Sequence, residues 1–384
     1  MKAWPKLRLA DIAPIVRRPA EIRHEQAYPE LGIRSFGRGT FHKPALSGAD
    51  VGTKRLFRIE PGDLVFSNVF AWEGAIAVAS PADAGRFGSH RFITCIVDPD
   101  KANAVYLKLY LTVSPEGRAQ VLQASPGGAG RNRTLGVEKM GQIQVPLPPL
   151  AEQKAVISRL DTLADKVRQL NEHLDAIERD ADRLLAVRFR DAIADAPVSP
   201  MAEVAPLVRR EIAIELEGSY PELGIRSFGK GTFHKPPLSG ADVGTKRLFS
   251  IEPGDLLFSN VFAWEGAIAV AQPEDAGRFG SHRFITCRVD PEVTSPEFLR
   301  YYFLTDAGLE KIGEASPGGA GRNRTLGLEK LMAIQVPIPS LSTQRTFVAL
   351  QAKVVELKAR HATIRQANDA LIPAMLERVF SGSH

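Results

Sequence analysis

The residues best suited to chemistry in this chain are cations and amides set in glycine-rich turns. The segment Ser125-Pro-Gly-Gly-Ala-Gly-Arg-Asn-Arg-Thr-Leu135 returns unchanged as Ser316–Leu326, so Arg131, Asn132 and Arg133 are matched by Arg322, Asn323 and Arg324. Small residues let a backbone approach a ligand closely, and Arg and Asn are the side chains that read guanine and adenine edges bidentately. Asn in such a turn serves equally well as a residue that tolerates a left-handed backbone. Arg34, Arg38, Lys43, Lys54, Arg55, Arg86 and Arg91 also lie in or beside glycine-rich turns. Arg226, Lys230, Lys235, Lys246, Arg247 and Arg283 stand at the corresponding places of a second copy. Any one of these is ordinarily a solvated surface charge, but turns that place many on one rim suit phosphate neutralisation and base-edge contact.

Catalytic and metal signatures are absent. Phe36-Gly-Arg-Gly lacks the GK[ST] ending of a phosphate loop and the strand-helix context around it, and reads as a turn. Val145-Pro-Leu-Pro-Pro149 has an apolar residue where amino-methyltransferases place a polar one. His42, His90 and Cys95 are too scattered for zinc, and neither a nucleophile elbow nor a carboxylate pair occurs. The two histidines read as structural hydrogen-bonding groups, and Trp72 and Trp264 as core residues.

The elements that must position these turns follow from a duplication. Tyr28–Ala79 and Tyr220–Ala271 match at 48 of 52 positions, differing at Arg38/Lys230, Ala45/Pro237, Arg58/Ser250 and Val65/Leu257. A repeat of this length is a duplicated domain and not a solenoid unit. Within a copy, strands are expected over 62–70, 75–79 and 91–97, helices over 104–113 and 116–123, and a short strand near Ile143. Each copy leads into a long helix. In the first, Val156, Leu160, Leu163, Val167, Leu170, Leu174, Ile177, Ala181 and Leu184 follow a three-four alternation. In the second, Phe347, Leu350, Val354, Leu357, Ile364, Leu371 and Met375 do so, with polar His361 and Asn368 on the seam and Pro373 expected to kink the last turns.

The expected fold is α+β: two near-identical domains, 1–149 and 194–340, joined by spacer helices 150–193 and 341–380. The helices should pair antiparallel as an intramolecular coiled coil, giving a pseudo-two-fold molecule. A parallel pairing would need residues 194–203, a proline-containing linker, to run back along the whole helix. Forty helical residues would hold the domains at most about 60 Å apart.

Composition fits this picture. The chain has 384 residues, 44% hydrophobic and 24% charged, with formal net charge +5. A pI near 9.2 is a mild basic excess compatible with nucleic acid. Cys95 and Cys287 occupy equivalent apolar runs, which argues for core residues in a reducing compartment and not for a disulfide. With no secretory core at the N-terminus and no apolar run of spanning length, a cytoplasmic, non-membrane protein is expected.

The chain resembles the specificity (S) subunits of Type I restriction-modification systems over essentially its whole length. The marks are Trp4-Pro-Lys-Leu-Arg-Leu-Ala-Asp-Ile-Ala, Leu31-Gly-Ile-Arg-Ser-Phe-Gly-Arg-Gly-Thr-Phe-His, Val145-Pro-Leu-Pro-Pro-Leu-Ala-Glu-Gln153 and Leu371-Ile-Pro-Ala-Met-Leu-Glu-Arg-Val-Phe380. The resemblance implies two target-recognition domains, each reading half of a bipartite double-stranded DNA site, with helices serving as ruler and as docking surface for two modification subunits. Those subunits would carry S-adenosylmethionine, a restriction subunit could join, and this chain would hold no catalytic residue, cofactor or metal. Two departures stand out. Val336-Pro-Ile-Pro-Ser-Leu-Ser-Thr-Gln344 has Ser340 and Thr343 in place of Pro and Glu, and the two domains are near duplicates where the family carries dissimilar ones. Like domains imply an interrupted palindrome. A fused methyltransferase-endonuclease and a DNA-independent coiled-coil scaffold are the other classes considered; the first lacks room for a catalytic domain, and the second predicts no salt-dependent DNA affinity.

Overall fold

The computed structural model describes residues 4–128, 133–318 and 324–380. It divides into two compact units, Met1–Leu174 with His361–His384, and Asp175–Arg360.

In the first unit, strands β1 (Lys6–Arg8), β2 (Ile15–Val16), β3 (Ala27–Ile33), β4 (Thr40–Ser47), β5 (Leu56–Arg58), β6 (Leu64–Ser67), β7 (Ile76–Val78), β8 (Phe87–Ser89), β9 (Phe92–Cys95) and β10 (Gln144–Pro146) form three sheets. Two are four-stranded, ordered β4-β3-β8-β5 and β2-β9-β6-β7; the third pairs β1 with β10. Helices α1 (Ala104–Val113) and α2 (Pro115–Gln123) follow β9, and the long helix α3 (Leu150–Ile193) follows β10. The Asn103 side chain accepts from the N–H of Val105 at 2.8 Å to start α1, and Ser114 Oγ from Gly117 N–H at 2.8 Å to start α2.

Alternation along β6 builds two cores at once. Leu64 and Phe66 face a cluster with Tyr106, Leu107, Tyr110 and Leu111 of α1, whereas Val65 faces Leu31, Ile59 and Phe92 between the two larger sheets. Cys95 is fully buried, and burial pushes its thiol up to about 12, so the core placement read from the sequence holds.

The second unit repeats this plan, from β11 (Val198–Pro200) paired antiparallel with β12 (Gln335–Pro337) to helix α4 (Pro296–Phe303) and the long helix α5 (Leu341–Phe380). The proline-containing stretch expected as a linker therefore contains a strand, the counterpart of β1. Pro197 contributes too, accepting at its carbonyl from Ile338 N–H at 2.8 Å.

Each unit contains the start of one long helix and the end of the other. In the first, Val156 and Leu160 of α3 cluster with Leu376 and Val379 of α5. Phe380 packs on Tyr106 and Tyr110 at 5.5 and 5.4 Å between ring centres. In the second, Leu185 and Phe189 of α3 cluster with Phe347 and Val354 of α5, and Phe189 meets Phe298 of α4 at 5.2 Å. Within each unit the pairing is antiparallel, as expected. Helix α5 continues through Pro373 to Phe380.

The strict three-four seam is corrected. Leu170, Ile177 and Leu184 are 40, 47 and 44% exposed, and Asn171, Glu178 and Leu185 take the inward places. On α5, Ile364 and Leu371 are likewise exposed at 40 and 43%. Inward positions from Val156 to Phe189 recur about every 3.7 residues, near the period of a straight helix and of an eleven-residue repeat, so the seam drifts off a heptad line. The polar seam residues His361 and Asn368 are buried as expected, and Asn368 Nδ2 donates to Asn171 Oδ1 at 3.2 Å.

Candidate nucleic-acid interface

Strand direction and register bring the cationic turns of a unit together. In β4-β3-β8-β5, Ile33 pairs with Thr40, Glu30 lies parallel to Phe87, and Leu56 pairs with Ser89. The 34–39 hairpin tip and the 89–91 turn after β8 therefore leave the sheet at one end, whereas the 52–55 loop runs between Val51 and Leu56, which cluster with Tyr28 near the far end of the hairpin. In the other large sheet Ser67 pairs with Phe92, placing the Ser67–Gly74 loop beside Arg91. The strand backbones thus deliver Arg34, Arg38 and Arg91 to one rim, with Arg226, Lys230 and Arg283 in the same places of the second unit, while Lys54, Arg55, Lys246 and Arg247 lie on the loops nearer the other end of the hairpin.

The hairpin tip is held rigidly. Arg34 N–H donates to Gly39 C=O at 2.9 Å, while Phe36 and Gly37 N–H donate to Glu73 and Gly74 C=O, each at 2.8 Å. Ser35 Oγ adds a bond to Glu73 Oε2 at 3.1 Å. Phe36 adopts φ 61 and Phe228 φ 61, the left-handed region that non-glycine residues rarely enter. Their rings are 68 and 74% exposed. At the tip of the second unit, Arg300 Nη2 also donates to Gly229 C=O at 2.5 Å; the matching residue of the first is Lys108.

Beneath the tip, β3 and β4 pack Phe41 over Gly32, where any Cβ would fall 2.2 Å from the ring. Phe41 in turn shelves the Arg34 guanidinium at 5.1 Å, and Arg34 Nη1 donates to Thr40 C=O. Asp83 ties β4 to the loop before β8: Thr40 Oγ1 donates to it at 2.9 Å and His42 Nε2 lies 2.9 Å from it. Burial alone would raise the Asp83 pKa, but bonds from Ser80, His42 and Thr40 outweigh it and hold the carboxyl below the usual range. The Arg18 guanidinium grips buried Asp63 through two bonds of 2.6 and 3.0 Å, fixing the lead-in chain to the start of β6.

The remaining sequence-predicted residues fall in three groups. Arg133 and Arg324 lie over Trp72 and Trp264 at 5.9 and 5.0 Å, and Leu135 N–H donates to Asn68 C=O at 2.8 Å, which brings the second glycine-rich segment to the same rim. Lys43 and Lys235 sit on exposed or half-exposed strand positions away from the tip. Arg131, Asn132, Arg322 and Asn323 lie outside the described residues.

Three readings change. Trp72 is half-buried at the rim with the Arg133 guanidinium on its face and is not core, whereas half-buried Trp264 packs against the core of its unit and carries Arg324 on its face. Arg86 is half-buried, its Nη1 donating to Glu30 C=O at 3.3 Å, so it braces β3. Arg247 is engaged by Glu211 through Nε at 2.6 Å and through Nη2, whereas the first copy has Pro19 in the place of Glu211. Residues that sequence reasoning missed are Phe36, Phe70 and Asn68. The signal for the first two was an apolar ring inside an otherwise polar or glycine-rich turn. Asn68 gave none; its Oδ1 is buried with no hydrogen-bond partner among the described residues.

Residues 1–179 match the family described as Type I restriction modification DNA specificity domain. No curated protein sequence matches the chain. Its fold is similar to that of the HsdS subunit from Thermoanaerobacter tengcongensis, with TM-score 0.67, 19% identity and coverage of 100% of this chain and 97% of that one. It is also similar, at TM-score 0.70 and 19% identity over 99% and 98% of the two chains, to a chain from a structure on complex assembly and conformational transition of the type I R-M system. Residues 1–179 thus carry a Type I restriction modification DNA specificity domain, and Tyr220–Ala271 repeats its Tyr28–Ala79 stretch at 48 of 52 positions.

Proposed function

We propose that the two domains read like half-sites arranged as inverted copies, so that the target is an interrupted palindrome. The observation that carries this is the near-identity of the two rims: every described cation at the end of the first set of strands has a basic counterpart in the second. Each domain is built on the start of one long helix and the end of the other, so equivalent elements serve in exchanged roles, which inverted half-sites mirror. Arg34, Arg38, Arg91 and Arg133, with Arg226, Lys230, Arg283 and Arg324, contact DNA in this reading, and Lys54, Arg55, Lys246 and Arg247 lie on flanking phosphates.

Two modification subunits dock on the long helices and carry the S-adenosylmethionine chemistry, and the complex works in the cytoplasm. Supporting this, Leu170, Ile177 and Leu184 stand outside the seam at seven-residue spacing, an apolar line that a partner helix would cover. Methylation mapping in a host expressing the system tests the target. An interrupted palindrome is expected; two unrelated half-sites, or a direct repeat, would defeat the proposal.

A further inference from the structure

Phe36 and Phe228 contribute nothing to the fold that explains them. Each occupies a left-handed backbone conformation that disfavours any side chain, and each leaves most of its ring in solvent, so no burial offsets the strain. Glycine or asparagine would fill this turn at lower energy. The strain persists because the two flanking amides, Phe36 N–H and Gly37 N–H, are fastened to Glu73 and Gly74. The second copy matches the first too closely to count as independent support. What counts is that the same geometry is imposed by the same bonds, Phe228 to Glu265 and Gly229 to Gly266, each at 2.8 Å.

The surroundings indicate the ligand. Arg38 lies over the Phe36 ring at 5.7 Å and Lys230 over Phe228 at 5.8 Å, and Arg34 and Arg226 flank the tips. Arg91 and Arg133 share the rim. An exposed ring ringed by cations is poorly suited to an apolar protein surface and well suited to a polyanion with an apolar interior.

We infer that Phe36 and Phe228 are apolar wedges, each pressed by its rigid hairpin tip against one base step of a half-site while the adjacent cations hold the flanking phosphates. This rests on the proposed reading of a DNA half-site by each domain. No covalent step is involved, and the rings act on the shape of the duplex.

The test uses the chain assembled with its modification subunits on its mapped target, with 2-aminopurine walked through the half-site at every position except the adenine that is methylated. The wild-type complex is expected to raise fluorescence at one step per half-site. The Phe36→Ala, Phe228→Ala pair should abolish that rise and weaken binding on the order of tenfold or more. The Phe36→Trp, Phe228→Trp pair should restore both. A Phe36→Gly, Phe228→Gly pair, expected to melt no lower than wild type because strain is relieved, replaces the alanine pair if that pair folds poorly. The inference is overturned if no position responds in the wild type, if the alanine or glycine pair keeps signal and affinity, or if those pairs lose subunit assembly while assembled complexes bind normally, which would make the rings a protein contact. Absence of any sequence-specific binding by the wild-type complex is a separate result, and it would remove the half-site reading together with this one.

Discussion

Gly37 donates its backbone N–H to the carbonyl of Gly74 at 2.8 Å, seating the β3–β4 hairpin tip on the Ala71–Glu73 turn. Gly74 has φ +77, and a Cβ there would sit 3.4 Å from Phe36 Cα. Gly74→Ala should therefore cost about 1 kcal/mol from backbone strain alone. Gly74→Val adds branches that push on Phe36 and should unseat the tip. Hydrogen exchange is the check: Phe36 and Gly37 amides lose protection in the valine variant while the β6 and β9 amides keep theirs. Unchanged tip protection would show that the seat is not what fixes it.

Asp83 gives the hairpin a pH dependence with a defined sign. Its folded pKa is depressed, so the unfolded chain takes up the proton more readily, near pH 3.9 for an ordinary Asp. The stabilisation is present above that pH and is lost as pH falls towards the folded value. Asp83→Asn should lower stability by about 1 to 3 kcal/mol at neutral pH, because Thr40, Ser80 and His42 lose an ionised acceptor. The melting-temperature gap to wild type should narrow below about pH 4. A gap that stays constant down to pH 2.5 would remove the carboxylate as its source.

Buried Gln153 fastens α3 to its own domain: Oε1 accepts from Asn103 N–H at 2.8 Å, and Nε2 donates to the carbonyls of Lys101 and Pro148 at 3.1 and 2.8 Å. Gln344 does the same for α5, accepting from Thr294 Oγ1 at 2.9 Å and donating to Pro339 C=O at 2.8 Å. The Pro-to-Ser and Glu-to-Thr departures at Ser340 and Thr343 leave that staple intact, and Ser340 Oγ accepts from Thr343 N–H at 3.3 Å to cap the helix. Gln153→Leu should cost about 2 to 4 kcal/mol, since it removes the buried amide's bonds to three backbone groups, the Pro148 carbonyl among them fully enclosed. Chemical denaturation checks this; a loss under about 1 kcal/mol would mean that water or rearrangement replaces the amide.

Those residues also mark what sequence could and could not disclose. Duplication, helices α1 to α3 and α5, the antiparallel pairing and buried Asn368 and His361 were legible because they rest on identity, periodicity and polarity along one element. The β3–β4 hairpin was not. Pro29, Gly32 and Pro44 interrupt its alternation, and the register shifts between Pro29 and Leu31, so the strand signal is carried by cross-strand pairs such as Gly32 and Phe41. The seam was half legible: Leu170, Ile177 and Leu184 extend a heptad line faultlessly, yet a helix near 3.6 residues per turn rotates that line away from its partner, and apolarity alone cannot tell a seam from a second stripe. The rim was legible as a set of cations but not as a place, because its assembly depends on which strand ends coincide.

Glu211 makes the two units unequal. Arg247 gives its Nε and Nη2 to the Glu211 carboxylate, and that bond holds Glu211 below the usual carboxylate range. Both side chains are exposed, so solvent screens the pair and it adds little to folding. Its consequence lies in binding: a phosphate approaching Arg247 must displace or tolerate a carboxylate that the first copy, with Pro19 in the place of Glu211, does not offer to Arg55. Glu211→Ala should leave the melting temperature within about a degree of wild type, tighten DNA binding at low salt, and steepen the slope of log affinity against log salt by about one. Arg55→Ala should make that slope shallower by about one, since it removes the unencumbered counterpart. Titrations at several salt concentrations decide the matter, and parallel lines for wild type and Glu211→Ala would place Arg247 away from the phosphates.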